Sequence, residues 1–396
     1  MAVVKPLFVA LLVVHGLIHL MGFVKAFGLA EVPQLSMPIS HAMGVGWLIA
    51  TIALLAAAAT CHASPTWFWA VGGVALVLSQ TLIILAWSDA RFGTVANVVL
   101  LVGVVLGFVA HGPGSLRAEY RAAVRSSLEV AVSPRLVTED DLRRLPRPVQ
   151  RYLRTAGAVG QPQIDSFKAV WHGRIRATVS APWMTFRAEQ YNFFGAPPVR
   201  LFFMDATMKH LPVDVFHRFV GDAATFRVRL LSAFTVIDAA GPAMNRGETV
   251  TLFNDLCILA PGRLIDPSIE WTEVDETHTR ARYTRGAETI TAELVFAASG
   301  ELIDFISDDR MAASADGKTF TAQRWHTPVR DYRGFGMRRA SSNAEARWIP
   351  ASGEFAYLEI ELERVDYNLT ARRTYASEPT ARRSRSPSGE ATRTTT

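Results

Sequence analysis

The stretch LFVALLVVHGLIHLMGFV, residues 7–24, decides how this chain begins to fold. It carries no charged side chain and is flanked by Lys5 and Lys25. Because an α-helix rises about 1.5 Å per residue, a stretch of this length can just cross a hydrocarbon core of roughly 30 Å. A signal peptide is the alternative, but its apolar core is normally shorter. The stretch therefore predicts a membrane-spanning helix.

Three more apolar segments follow, at residues 43–59, 67–87 and 95–110. No Asp, Glu, Lys or Arg occurs in residues 32–88 or 92–116, whereas the rest of the chain is charged at ordinary density. The chain is 49% hydrophobic and 19% charged, with a mean hydropathy of +0.17, so the apolar excess is concentrated near its start. We predict a four-helix transmembrane bundle.

The number of spans determines on which side of the membrane the rest of the chain lies. Four spans place the N-terminus and the chain after residue 114 on the same side. Lys5 and the arginines of residues 117–125 lie on that side, against Lys25 and Arg91 on the other. Because positive charge collects on the inner side, we expect the remainder to be cytoplasmic.

Residues 115–132 show a helical repeat next to the last span. Apolar side chains recur at every fourth position, and a stripe of arginines runs beside them. The repeat consists of Leu116, Tyr120, Val124 and Leu128. Two alternatives stay open for this amphipathic helix: it lies along the lipid headgroups, or it is a solvated connector.

After residue 138 the sequence favours sheet. Residues 138–153 begin as a capped helix that Pro146 is expected to kink or break. Alternation of apolar and polar residues then predicts strands near 167–175, 226–230, 290–296 and 358–362, with turns at 285–286 and 299–300. We expect about ten strands in a meander, interrupted by one helix that starts with a capping box at Asn245 and stops at Pro261.

The predicted fold class is therefore α+β: a transmembrane bundle followed by a soluble antiparallel β-meander, a curved sheet or half-barrel wrapped around a helix. The predicted domains are the bundle at 1–114, an amphipathic helix and linker at 115–137, the soluble β-rich domain at 138–370, and a disordered tail at 371–396. The tail holds six arginines against two glutamates, so it accounts for most of the net charge of +5. The nearly neutral remainder argues against nucleic-acid binding.

Polar groups inside the bundle are candidate site residues, because polar side chains are costly in lipid. His15, His19 and His41 are predicted at similar depth, together with Gln80 and Asn97. These histidines can ligate haem iron or a transition metal, they can line a path for protons or a small molecule, or they can serve as hydrogen-bonded packing between helices. All three alternatives stay open.

No catalytic motif is found, so the sequence gives no reason to expect an enzyme. His210, Asp214 and His217 could form a metal triad, but on a strand His217 points away from the other two, which favours a polar surface or turn. Trp171 and Trp325 are candidate ligand-binding aromatics at a sheet edge or the mouth of a ligand site. Two cysteines, Cys61 and Cys257, lie too far apart in sequence to suggest a disulfide framework.

Gly103 and Gly107 form a small-xxx-small pair that lets helices approach closely. The pair can mediate an oligomer, although packing within one bundle is the favoured use.

The stretch LPRPVQRYL at residues 145–153, WHG at 171–173 and QRW at 323–325 resemble an uncharacterised bacterial membrane-protein family built on a β-rich domain of unknown function. Some members carry a similar four-helix bundle with an HGLIHLMGF-like first span. The resemblance covers about residues 140–370 and supports the domain boundary only, since it brings no reaction or ligand. The expected location is the inner or plasma membrane of a bacterium.

The leading functional hypothesis is a membrane-tethered module that binds an apolar or amphipathic ligand, such as a lipid, in the β-rich domain. Membrane lipids are the expected partners. The alternatives are a membrane redox, haem or metal protein that uses the bundle histidines, and a structural protein that binds a partner.

Overall fold

The computed structural model describes residues 4–128, 135–314 and 317–370. The predicted disordered tail at 371–396 lies outside this part of the chain. The first helices are α1 (Val4–Ala26), α2 (His41–Ala63), α3 (Pro65–Leu85), the single turn α4 (Trp87–Ala90) and α5 (Gly93–His111). Four of these helical segments, all except α4, are long and apolar enough to cross a membrane, as the sequence predicted.

Small residues let the bundle helices approach one another. A Cβ added to Gly22 would come within 2.5 Å of the Trp47 ring, and one added to Gly103 would come within 2.5 Å of the Phe8 ring. At Gly107 an added Cβ would lie 3.3 Å from the Trp69 side chain. The small-xxx-small pair therefore serves packing between α5 and its neighbours in the same chain.

Helix α6 (Leu116–Leu128) contains the predicted amphipathic repeat. Its apolar stripe packs on one face of the β-sheet, where it forms a buried cluster with Tyr191, Leu201, Phe203 and Phe216. The structure corrects both alternatives that the sequence left open for this stripe, the headgroup layer and a solvated connector. The sheet covers the stripe, because contact between the two removes apolar area from water. Residues 129–132 of the predicted helix lie outside the described part.

The predicted helix after residue 138 is broken, as Pro146 suggested. It consists of α7 (Glu139–Leu142), which starts with a capping box between Thr138 and Asp141, and α8 (Arg147–Thr155). On α8, the Tyr152 hydroxyl donates a hydrogen bond to the Cys257 carbonyl oxygen at 2.7 Å. This bond ties α8 to the helix inside the sheet.

The described residues form 16 strands, 14 of them in a single sheet, where about ten were expected. The extra ones include pieces of two or three residues, too short for alternation to be visible in the sequence. The strands are β1 (Ser166–Ile175), β2 (Met184–Phe193), β3 (Val199–Met208), β4 (Leu211–Val220), β5 (Ala223–Leu230), β6 (Phe234–Ala240), β7 (Ile269–Glu273), β8 (His278–Arg285), β9 (Glu288–Phe296), β10 (Leu302–Ser307), β11 (Met311–Ala313), β12 (Phe320–Ala322), β13 (Trp325–His326), β14 (Val329–Phe335), β15 (Arg338–Trp348) and β16 (Phe355–Tyr367).

The large sheet is antiparallel and open. Its order is β6-β5-β4-β3-β2-β1-β16-β15-β13-β10-β9-β8-β7, with β14 paired to β15, while β11 and β12 form a separate hairpin. Strands β1 to β6 are joined as consecutive neighbours, so the predicted meander is confirmed in this half. The two edge strands, β6 and β7, do not pair with each other.

Helix α9 (Pro242–Leu259) connects the two edge strands, and a 3₁₀ turn at Pro261–Ile265 follows it. Twelve of its 18 residues are buried, as expected of a helix surrounded by protein. Phe253 stacks on Tyr283 of β8 with ring centroids 4.8 Å apart. The predicted α+β architecture, with an open curved sheet around an apolar helix, is confirmed.

The predicted start of α9 was wrong by three residues. The helix begins at Pro242 after Gly241, whose φ of 99° favours glycine. Asn245 does not cap it; its side-chain oxygen accepts a hydrogen bond from the Ala224 backbone at 2.8 Å instead. The domain boundaries at residues 114, 138 and 370 stay predictions.

Candidate functional site

A cluster of charged side chains lies inside the curved sheet, between β3 and α9. The Arg200 guanidinium on β3 contacts two carboxylates of α9: Nη1 lies 3.0 Å from Glu248 Oε2, and Nε lies 2.6 Å from Asp255 Oδ2. Glu248 is only 1% exposed and Arg200 only 6%. Glu248 and Asp255 are seven residues apart, which places them on the same face of the helix.

Strand β2 extends this interior cluster towards Trp171. Gln190 and Asn192 both donate to Asp255 Oδ2, at 2.7 and 3.1 Å. The Trp171 indole N–H in turn donates to Gln190 Oε1 at 3.0 Å. Trp171 is therefore buried in the interior and not at a sheet edge. The other placement that the sequence suggested, the mouth of a ligand site, stays a prediction.

Two more basic side chains approach Glu248 from other elements. His217 Nδ1 on β4 lies 3.3 Å from Glu248 Oε1, and Arg310 Nη2, just before β11, lies 3.7 Å from the same oxygen. Neither contact has hydrogen-bond geometry: among the described residues, Glu248 Oε1, His217 Nδ1 and Arg310 Nε have no hydrogen-bond partner. Buried polar atoms normally have a partner, which can be a protein group, a water molecule, an ion or a ligand.

The second tryptophan meets the same cluster from the opposite side. Trp325 is buried, its indole N–H donates to the Tyr357 hydroxyl at 3.2 Å, and the Arg310 guanidinium lies 5.6 Å from its ring centroid. The neighbouring histidines face elsewhere, since His172 pairs with Glu361 and His326 with Asp304. The structure thus brings Trp171 and Trp325 to one interior cluster, while their role in ligand binding stays a prediction.

The electrostatics of the cluster follow from burial and from its cations. Burial alone would raise the pKa of Glu248, but His217, Arg200 and Arg310 more than offset this and hold that pKa well below its usual range. Burial lowers the pKa of His217 despite the nearby carboxylate. At neutral pH two guanidinium groups therefore face two carboxyl groups, with a neutral imidazole beside them.

The HLPVDVFH stretch does not form a triad. His210 is exposed in the β3–β4 turn, Asp214 faces α6 with Oδ1 3.9 Å from Arg117 Nη2, and His217 faces α9. The argument from strand parity is confirmed, but the assignment to a polar surface or turn holds only for His210, since Asp214 is buried and His217 points inward. Within the described ranges no group of three or more His, Cys, Asp or Glu side chains is arranged to hold a metal ion.

A second polar cluster lies inside the bundle. Ser79 Oγ on α3 lies 2.9 Å from His19 Nε2 and 3.2 Å from His15 Nε2. His15 Nε2 is also 3.0 Å from Asn97 Oδ1, and Asn97 donates to Gln80 Oε1 at 3.0 Å. The predicted convergence of His15, His19, Gln80 and Asn97 is thus seen, with Ser79 at its centre. His41 lies apart, exposed and stacked on Phe27 with ring centroids 4.9 Å apart.

These hydrogen bonds assign protons to the two imidazoles. His19 Nδ1 lies 2.9 Å from the His15 carbonyl oxygen, which only accepts, so Nδ1 carries the proton and Nε2 is an acceptor. The Ser79 hydroxyl, which has one proton, lies 2.9 Å from this nitrogen and 3.0 Å from Asn97 Oδ1. Asn97 Oδ1 also only accepts, so His15 carries its proton on Nε2. The lone pair of His19 Nε2 is thus directed at Ser79, and ligation of haem iron or a metal by His19 would require this contact to break.

An apolar groove of about 610 Å³ lies on the bundle between α3 and α5. It is lined by Trp69, Gly73, Val77, Val104 and Phe108, among others. A smaller cleft of about 240 Å³ lies beside Arg144, Asp266 and Trp271 in the β-rich part. Neither is lined by residues of the interior cluster.

Sequence comparison finds one matching family. The model of a family of unknown function, DUF6544, matches residues 135–360, the part that contains the sheet and α9. No curated protein matches the chain.

The solved structures that match this chain share little sequence identity with it. A LolA superfamily protein from Nitrosomonas europaea is 11% identical, with 57% of this chain and 96% of that chain covered and a TM-score of 0.33. A putative outer membrane lipoprotein-sorting protein domain from Vibrio parahaemolyticus is 7% identical, with 51% and 85% covered and a TM-score of 0.29. A DUF1329 family protein from Desulfovibrio piger is 10% identical, with 58% and 96% covered and a TM-score of 0.35. Because all three TM-scores are below 0.5, nothing about the function of this chain is concluded from them.

Proposed function

Since this chain belongs to DUF6544, a family of unknown function, we propose its function from its own geometry. It is a membrane-tethered module that binds an amphipathic ligand, with lipids as the leading class, inside the curved sheet. The four apolar helices supply the tether, and the cluster around Glu248 binds the polar end of the ligand.

The observation that carries this proposal is the charged cluster itself. Arg200 and Glu248 are buried, and Asp255 and Arg310 are mostly buried, with 16% and 13% of their side chains exposed, beside a large apolar core. Such buried ion networks contribute little to stability, because the cost of desolvation offsets the attraction between the charges. A cluster that also leaves Arg310 Nε and Glu248 Oε1 without hydrogen bonds is better explained by a ligand that carries both a donor and an acceptor.

The inner face of the sheet changes from apolar to polar along three neighbouring strands. On β2, Phe186 and Ala188 precede Gln190 and Asn192 on the same face. The same change occurs on β4, where Val213 and Val215 precede His217, and in reverse on β3, where Arg200 precedes Met204 and Ala206. These strands pair in antiparallel register, so the apolar halves lie together and the polar halves lie together. An amphipathic molecule matches such a surface, with its head at Arg200 and its tail along the apolar halves.

The test is to identify what the full-length protein retains when it is purified from membranes in mild detergent. Solvent extraction and mass spectrometry should find an amphipathic molecule in the wild type, in a fixed ratio to protein. Arg310→Gln removes the positive charge that faces Glu248 but keeps most of the side-chain volume, so it leaves no large cavity. We expect the amount of the bound molecule to fall several-fold in this variant.

Arg324→Gln is the matched control, since Arg324 pairs on the surface with Asp308 at 3.2 Å and belongs to the same segment of the chain. Lipids that merely coat the bundle should be equal in the wild type and both variants. A wild type that is consistently free of ligand, or equal ligand content in the two variants, would contradict the proposal.

A further inference from the structure

We propose that one rim of the sheet sits in the headgroup layer of the membrane that the bundle crosses, and that it fixes the apolar half of the interior next to the bilayer. This bundle-side rim consists of the β3–β4 turn with its flanks, residues 208–211, and the β5–β6 turn with its flank, residues 230–236. The inference rests on the proposed tether, and the occupant it commits to is a bilayer surface with anionic lipids.

Contacts of α6 show which way the strands run relative to the bundle. Arg229 on β5 donates to the Gly114 carbonyl oxygen at 3.0 Å, and Arg227, two residues earlier, pairs with Glu119. The order along β5 is therefore opposite to the order along α6. Following β5 beyond Arg229 leads back past Gly114, towards the end of the bundle.

Strand β3 gives the same direction independently. Arg117 pairs with Asp205, whereas Tyr120 stacks against Phe203 with ring centroids 5.3 Å apart. A strand rises about 3.3 Å per residue, so the four residues from Asp205 to Lys209 extend roughly 13 Å beyond Arg117. The β3–β4 turn thus reaches the level at which α5 ends and the headgroup layer is expected.

The composition of the rim suits that layer. Leu211 is 42% exposed, Phe234 65% and Val236 51%, although each is apolar. Lys209 is exposed beside them. A long basic side chain next to apolar ones can direct its charge to lipid phosphates while its neighbours enter the acyl boundary. In water, these exposed apolar side chains would contribute no hydrophobic stabilisation.

The two turns also keep an unfavourable backbone. Lys209 and His210 have φ values of 48° and 69°, and Leu231 and Ser232 have 56° and 57°. These four are among six non-glycine residues with positive φ in the described part of the chain. At the β3–β4 turn, a two-residue hairpin with positive φ at both central positions is normally Asn-Gly, so Lys209 and His210 are retained against the local preference. In the three-residue β5–β6 turn, Leu231 and Ser232 also adopt a conformation that favours glycine. Such strain is typical of positions where the side chain has a role.

The consequence concerns access to the interior. The apolar halves of β2, β3 and β4 begin next to this rim, at Phe186, Ala206 and Val213, which are register neighbours on the inner face of the sheet. With the rim in the headgroup layer, the tail of an amphipathic ligand can pass between bilayer and sheet without crossing water.

The test uses full-length protein in nanodiscs that contain anionic lipids and a lipid with a nitroxide near the headgroup. An environment-sensitive fluorophore is attached to Leu211→Cys in a Cys61→Ala background, since Cys257 is buried and does not label. We expect the label at 211 to lose most of its fluorescence to the nitroxide. A label at Met337→Cys, 78% exposed on the β14–β15 turn, should keep its fluorescence.

A third label separates this inference from the tether. Val77→Cys on α3, where Val77 is 66% exposed, should be quenched by a nitroxide placed deep in the acyl chain. Quenching at 77 without quenching at 211 would overturn the rim proposal and leave the tether intact. No quenching at 77 would overturn the tether and, with it, the rim. Equal quenching at 211 and 337 would mean general contact with lipid, and it would also contradict the proposal.

Discussion

His217 on β4 and Glu248 on α9 face each other inside the sheet, with Nδ1 and Oε1 3.3 Å apart. Burial lowers the pKa of His217, so the folded protein holds this imidazole neutral at pH values where the unfolded chain is protonated. The unfolded state therefore gains a proton first as the pH falls below about 6.5, and the stability of the folded state decreases. We expect the melting temperature to fall between pH 7.5 and 5.5.

His217→Gln should reduce that fall, because glutamine does not titrate. The measurement is thermal unfolding of the full-length protein in detergent across this pH range, with His172→Gln, a surface substitution, as the control. A wild type and a His217→Gln variant with identical pH slopes would show that this imidazole titrates as in the unfolded chain.

His326 should give a pH effect of opposite sign. Its Nδ1 lies 2.9 Å from Asp304 Oδ2, and this hydrogen bond raises the pKa of His326 despite partial burial. A folded-state pKa above the unfolded value stabilises the protein fully below about pH 6.5, and this stabilisation is lost as the pH rises through the folded-state value. The difference in melting temperature between wild type and His326→Gln should thus be larger at pH 5.5 than at pH 8.5. A difference that does not change with pH would rule out the shift.

The strained β3–β4 turn predicts a variant that is more stable than the wild type. Glycine accepts a positive φ without the clash that a Cβ causes, so His210→Gly should raise the free energy of unfolding by about 0.5–1 kcal/mol. His172→Gly is the opposite control, because glycine within a strand costs about 0.5–1 kcal/mol. The measurement is chemical denaturation of both variants and the wild type under the same conditions. Equal destabilisation of the two variants would mean that the turn is not strained.

Four strands of the sheet could be predicted from the sequence, but the interior cluster could not. Strands β1, β5, β9 and β16 alternate in hydrophobicity, which is a local signal. Glu248 and Asp255 follow Arg200 by 48 and 55 residues in the chain. The neighbouring sequence of each residue gives no sign that it is buried with the other two. The spacing of seven between Glu248 and Asp255 was the available signal, since it places both on one helix face.

The bundle illustrates the same limit. Depth in the membrane follows from position along a span, so His15, His19, Gln80 and Asn97 were grouped correctly. Depth does not determine the direction in which a side chain points. His41 begins α2 and faces away from this group, so its position along the span did not predict its contacts. Ser79 was missed because a serine in an apolar helix usually bonds to its own backbone.

The close approach of Phe8 to Gly103 leaves no room for a methyl group at position 103. A Cβ at this position would lie 2.5 Å from the Phe8 ring, so Gly103→Ala should destabilise the bundle by about 1–3 kcal/mol through overpacking. Gly73→Ala is the control, because the nearest atom to its added Cβ is 3.9 Å away. The measurements are thermal unfolding and size in detergent. A variant that keeps its stability but changes its oligomeric state would instead place Gly103 in an interface between chains.

Ser79 lies at the centre of the polar cluster in the bundle. Its hydroxyl lies 2.9 Å from His19 Nε2, and Ser79→Ala removes this hydrogen-bond partner while filling nearly the same space. Interhelical hydrogen bonds of this kind average roughly 0.6 kcal/mol, so we expect a small loss of stability. In ¹⁵N spectra of histidine-labelled protein, the variant should shift the His19 Nε2 resonance and leave Nδ1 protonated. Thr81→Ala is the control, since Thr81 donates to the Val77 carbonyl oxygen of its own helix. A wild type in which His19 carries its proton on Nε2 would contradict the assigned hydrogen bond from Nδ1 to the His15 carbonyl oxygen.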